Sequence, residues 1–72
     1  MKDAAQYVTL NIGHHLIKWA ISRIRAGTMT PEQFAAQHSP NARPDAPVLR
    51  TISLGIRQIM HEKPENLPET LR

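Results

Sequence analysis

The stretch AAQYVTLNIGHHLIKWAISRIR, residues 4–25, decides the fold of this chain. At about 100° per residue of an α-helix, Val8, Ile12, Leu16 and Trp19 fall on one side, which we predict to face the core. A solvent-facing helix of a small domain needs only one such apolar stripe. More apolar side chains continue around this helix, so we expect a second copy of the chain or another protein to cover them. The predicted subunit interface consists of Leu10, Ile17, Ile21 and Ile24.

Local signals predict both ends of this first helix. Asp3 and Gln6 have the spacing of an N-terminal capping box. Arg23 and Arg25 lie in the last turn, where the helix dipole favours cations, and Gly27 is suited to a left-handed residue that ends a helix.

A second, short helix is predicted from Pro31 to about His38. Thr30 supplies an N-cap, Pro31 the first helical residue and Gln33 the partner of a capping box. Phe34 is its expected anchor in the core. The loop that follows, residues 39–45, is rich in helix-breaking residues.

A third helix of medium length is predicted from Ala46 to about His61, with Asp45 as its N-cap. Gly55 inside it costs up to about 1 kcal/mol relative to alanine, which indicates close approach of another backbone or an imperfect helix. Its apolar side chains gather on one face: Val48, Leu49, Ile52, Ile56, Ile59 and Met60.

These elements predict an all-α, three-helix domain over residues 1–63, with one long, one short and one medium helix. Residues 64–72 contain two prolines and are expected to form an irregular, extended tail. We expect the domain to form a homodimer through the first helix. The predicted core consists of Val8, Ile12, Leu16, Trp19, Phe34, Leu49, Ile52, Ile56 and Ile59.

Composition narrows the functional classes. A chain of 72 residues with no cysteine has neither disulfides nor a thiolate metal site. Its apolar stretch is interrupted by polar residues, so we expect no membrane span and a cytoplasmic protein. The formal charge is +3, and no acid occurs between Asp3 and Glu32. The positive electrostatic field of such a segment favours an acidic protein surface or nucleic acid as partner. Basic residues that merely keep a helix soluble explain the charge pattern equally well.

No residue pattern indicates catalysis. His14 and His15 diverge by about 100° on a helix and have no metal-ligand partner three or four residues away. No pair of carboxylates shares a helix face for acid and base work. We therefore expect no enzyme, no metal, no cofactor and no small-molecule substrate.

Two polar strips are the predicted partner-binding surfaces. The first, on the first helix, consists of Tyr7, Asn11, His14, Lys18 and Arg25. The second, on the third helix, consists of Arg50, Leu54, Arg57 and His61. Arginine around an apolar anchor is common at interfaces, but an ordinary solvated face also explains each strip. The chain is thus interpreted as a small helical interaction module, acting as an adaptor or inhibitor by binding another protein.

A DNA-binding regulator is the alternative. Residues 31–61 would then form a helix-turn-helix-like pair. The connection of residues 39–45 is longer than the turn of 3 to 4 residues that this motif uses. The residues predicted to face a groove are Arg50, Thr51, Ser53, Arg57 and Gln58.

Overall fold

The computed structural model describes residues 3–72, apart from the side chain of Asp3. This part of the chain is all-α, as predicted, with no strand and with two short 3₁₀ turns at its end. The predicted capping box of Asp3 and Gln6 depends on the side chain of Asp3, which lies outside the part of the chain that the structure describes. The four α-helices are α1 (Asp3–Asn11), α2 (His14–Arg25), α3 (Pro31–His38) and α4 (Pro47–His61).

The predicted long helix is two helices, divided at Gly13. This residue has φ +96° and ψ 153°, a conformation that glycine adopts readily and other residues do not. Before the break, the Asn11 side chain folds back and donates to the Tyr7 carbonyl of the last turn of α1 at 2.8 Å. After it, the Ile17 N–H donates to the Gly13 carbonyl at 3.1 Å and opens α2.

The break changes which face of α2 is buried. Ile17 and Ile21 lie in the core, whereas Leu16 and Trp19, predicted as core, are exposed. The prediction that Ile17 and Ile21 form a subunit interface is therefore wrong, because the chain's own core already covers them. Counting 100° per residue along one continuous helix fails here, because the helix axis changes direction at Gly13. Of the other two predicted interface residues, Leu10 is 76% exposed and Ile24 packs against the core partly buried.

Helices α1 and α4 pack backbone to backbone at Gly55. A Cβ at this position would lie 2.4 Å from the carbonyl oxygen of Ala4 and 2.4 Å from Cγ2 of Val8. The close approach predicted from Gly55 is confirmed. In addition, the Ala5 N–H at the start of α1 donates to Oε1 of Gln58 at 3.0 Å, so α4 caps α1.

The predicted start of α3 is confirmed. The Gln33 N–H donates to Oγ1 of Thr30 at 3.0 Å, and the Thr30 N–H donates to Oε1 of Gln33 at 2.9 Å. Phe34 is buried, as predicted. The predicted N-cap of α4 is wrong: the cap is Ala46, with no side-chain hydrogen bond. Asp45 lies instead inside a turn that the Ala46 N–H closes on the Arg43 carbonyl.

The tail folds back onto α2. It forms two 3₁₀ turns, Pro64–Asn66 and Glu69–Leu71, and is not extended. Leu71 is buried, and Oγ1 of Thr70 lies 2.7 Å from Nδ1 of His14. The tail thus extends the core.

The core joins all four helices and the tail. Of the predicted core residues, Ile12 and Leu49 are only partly buried, at its margin. No helix in the described range is long and apolar enough to cross a bilayer. The buried apolar side chains are Ala5, Val8, Ile17, Ala20, Ile21, Phe34, Ala35, Ile52, Ile56, Ile59 and Leu71.

Candidate interaction surfaces

The outer side of α2 carries an exposed aromatic and aliphatic pair. Leu16 is 39% exposed and Trp19, the only tryptophan, is 44% exposed. His15 and Arg23 are exposed beside them on the same side of the helix, four residues from Trp19 in either direction. We call these four residues the Trp19 face. It borders the side of α2 that Ile17 and Ala20 bury in the core, since Leu16 and Ala20 are neighbours one turn apart.

Of the apolar side chains predicted to remain uncovered at the start of the chain, Leu10 alone is exposed. Leu10 is common to the predicted and observed sets, whereas Leu16 and Trp19 take the places of Ile17 and Ile21. One signal in the sequence could have found this: Asn11 and Gly13 around Ile12 resemble a helix end, because Gly favours the residue after a helix. The exposed large apolar side chains are Tyr7, Leu10, Leu16, Trp19 and Leu54.

The strip predicted on α4 is exposed along its length. Leu54 is 47% exposed, and Arg50, Arg57 and His61 are also exposed. Arg57, however, forms a two-pronged ion pair with Glu32 of α3: Nη1 contacts Oε2, and Nη2 lies 2.9 Å from Oε1. This part of the strip joins α4 to α3.

The ion pair shifts both titrations in the direction that favours the charged forms. The hydrogen bond from Arg57 holds the pKa of the Glu32 carboxyl below its ordinary value, against a small opposing effect of burial. The same bond raises the pKa of Arg57. Both side chains are about half exposed, so water screens the pair and its contribution to stability is small.

The strip predicted on the first helix is divided among three environments. Asn11 is bonded to the Tyr7 carbonyl on α1, and His14 is in hydrogen-bond range of Thr70 in the tail. Lys18 and Arg25 border a groove between α2 and the tail. The structure therefore does not bring these five side chains into one surface, because Gly13 separates those of α1 from those of α2.

The face predicted to read DNA is not available as a unit. Ser53 is buried, and its hydroxyl donates to the carbonyls of Leu49 at 3.0 Å and Arg50 at 3.2 Å. The side-chain oxygen of Gln58 accepts the Ala5 N–H, and Arg57 is paired with Glu32. Of the predicted groove-facing residues, Arg57 and Gln58 are thus bonded to other helices and Ser53 is buried, which leaves Arg50 and Thr51.

Titratable side chains do not gather into a metal site. Across the described part of the chain, no three His, Cys, Asp or Glu residues lie close enough together to hold a metal ion. Every buried side-chain nitrogen or oxygen in this range has a hydrogen-bond partner. The surface features that stand out are therefore apolar groups and cations.

Comparison with known proteins gives no relative. The chain matches no protein-family model, no curated protein and no solved structure at a significant level.

Proposed function

We propose that this chain is a small protein-binding module whose recognition surface is the Trp19 face. The observation that supports this proposal most directly is the exposure of Leu16 and Trp19, side by side on the solvent side of α2. Tryptophan and arginine are the residue types that most often dominate binding energy at interfaces, and Arg23 lies one turn from Trp19. A module of this kind acts as an adaptor or inhibitor, by occupying a surface of its partner.

The charge of α2 indicates the chemistry of that partner. The helix contains Lys18, Arg23 and Arg25 and no acidic residue. A partner surface with an apolar pocket bordered by carboxylates would complement it. A second copy of the chain would instead bring identical cations face to face. Self-association through this face is therefore less favourable than binding to an acidic protein.

An affinity capture from a lysate of the source organism, treated with nuclease, tests the proposal. The baits are the wild-type chain, Trp19→Ser and Leu54→Ser. The two substitutions remove exposed side chains of similar exposure from α2 and from the predicted strip on α4, so they are matched controls for each other. We expect one acidic protein to bind wild type and Leu54→Ser, and to be lost with Trp19→Ser.

A purified mixture then gives the affinity. Removing a central aromatic anchor from an interface costs at least about 2 kcal/mol, so we expect Trp19→Ser to weaken binding about thirtyfold. Equal loss with Leu54→Ser would transfer the recognition surface to α4. Recovery of protein that disappears after nuclease treatment would favour nucleic acid as the partner and contradict the proposal.

A further inference from the structure

A groove of about 380 Å³ lies between α2, the end of α4 and the tail. Its floor is apolar: Ile21 comes from α2, Ile59 from α4, and Leu67 and Leu71 from the tail. Ile59 and Leu71 are buried core residues, so the floor is part of the packed interior and is not a loose surface. The volume falls in the range of sites that hold small molecules, roughly 300–1,000 Å³.

The rim of the groove is cationic. Lys18 and Arg25 are seven residues apart, two turns along the same side of α2, and Arg72 joins them from the tail. Nε of Arg72 donates to the carbonyls of Pro64 at 3.0 Å and Leu67 at 3.1 Å, which fixes the guanidinium at the groove.

Within residues 4–72, no salt bridge pairs a rim cation with a carboxylate. The side-chain ion pair in this range is that of Arg57 and Glu32, and neither of these side chains lines the groove. Glu62 is the acidic residue of the groove, and its carboxylate accepts a hydrogen bond from Nδ2 of Asn66 at 3.1 Å. Among the side chains that line the groove, three cations therefore border the apolar floor, against the one carboxylate of Glu62, which is already bonded.

We propose that this groove binds a small soluble carboxylate with an apolar body, such as a medium-chain fatty acid. The apolar body would cover the floor, and the carboxylate would lie between the rim cations, where charge-assisted hydrogen bonds to arginine are strong. This site is separate from the Trp19 face, so it goes beyond the protein-binding function proposed above.

Titration of ¹⁵N-labelled protein with sodium octanoate tests the site by NMR. We expect saturable shifts confined to the backbone amides of α2 from Lys18 to Arg25, the end of α4 and the tail. The double substitution Lys18→Gln/Arg25→Gln should weaken binding tenfold or more. The matched control, Arg50→Gln/Arg43→Gln, removes the same charge from exposed positions outside the groove and should leave the affinity within twofold.

Two other ligands separate the roles of charge and apolar contact. Acetate carries the charge without the apolar body, and octylammonium carries the body with the opposite charge; both should bind at least tenfold more weakly than octanoate. Equal binding of either ligand, equal weakening by the control variant, or shifts spread over the whole surface would overturn the proposal. Shifts centred on Leu16 and the indole N–H of Trp19, with none in the tail, would also overturn it, without bearing on partner capture by that face.

Discussion

At Gly55 the absence of a side chain sets the distance between two helices. A Cβ there would overlap the Ala4 carbonyl oxygen, which is backbone and cannot rotate away, as well as Val8. We expect Gly55→Ala to lower the free energy of unfolding by about 1–3 kcal/mol, the usual cost of overpacking. If the glycine were only an imperfection of α4, the same change would stabilise the helix by up to about 1 kcal/mol. Urea denaturation gives the change in the free energy of unfolding, and its sign decides between overpacking and a helix imperfection.

The ion pair of Glu32 and Arg57 makes a small, pH-dependent contribution to the free energy of unfolding. Because the pKa of Glu32 is lowered in the folded protein, the pair stabilises the fold above the ordinary carboxyl range and is lost as the pH falls through the lowered pKa. We expect Glu32→Gln to cost about 0.5 kcal/mol at neutral pH, the scale of an exposed pair. The difference from wild type should vanish in acid and shrink in high salt.

Glu65→Gln is the control for this experiment, since Glu65 is exposed and forms no ion pair within residues 3–72. It should change stability little at any pH. A cost of Glu32→Gln that persisted in strong acid would mean that the side chain acts by packing and not by charge.

At the level of elements, the face of α2 can be read from neighbouring substitutions. Ile17 is fully buried and Trp19 is 44% exposed, although they are two residues apart. We expect Ile17→Ala to cost about 2–5 kcal/mol, as for other buried aliphatic truncations. Trp19→Ala should cost about 1 kcal/mol or less, as at surface positions. Thermal unfolding followed by circular dichroism measures both losses of stability. A larger loss for Trp19→Ala than for Ile17→Ala would support the buried face predicted from one continuous helix.

The sequence predicts helix ends better than helix faces in this chain. Thr30, Pro31 and Gln33 carry their signal within four residues, so the start of α3 was predictable from local chemistry. The burial of Ile17 depends on the direction of α2 after Gly13, which is set by packing against α1, α3 and α4. No periodicity within residues 4–25 contains that information, because it counts angles about a single axis.

The same contrast holds for the candidate surfaces. The α4 strip lies on one unbroken helix, and the angular count placed all four residues correctly on its exposed side. The groove between α2, the end of α4 and the tail brings Lys18 and Arg25 together with Arg72, which is 47 residues beyond Arg25 in the chain. Such a cluster depends on how the tail docks, and the tail's two prolines and short turns give no periodic signal.

At the level of the whole molecule, size and charge oppose each other in self-association. A chain of 72 residues buries only about 60% of the surface of its unfolded form, so apolar groups such as Trp19 and Leu10 remain at the surface. That favours association. The net charge of +3 and the purely basic α2 oppose it between identical copies, most strongly at low ionic strength.

The oligomeric state at low ionic strength therefore distinguishes a chain that self-associates from one that binds an acidic partner. We expect light scattering at tens of micromolar to give the monomer mass of 8.1 kDa. Acrylamide should quench the fluorescence of Trp19, since this sole tryptophan is open to solvent in the monomer. A dimer in which Trp19 is shielded from acrylamide would show that the Trp19 face binds a second copy despite its charge. A dimer in which quenching is unchanged would place the contact at another surface, with Leu54 and Leu10 as the side chains to substitute next, and would leave the Trp19 face free for an acidic protein.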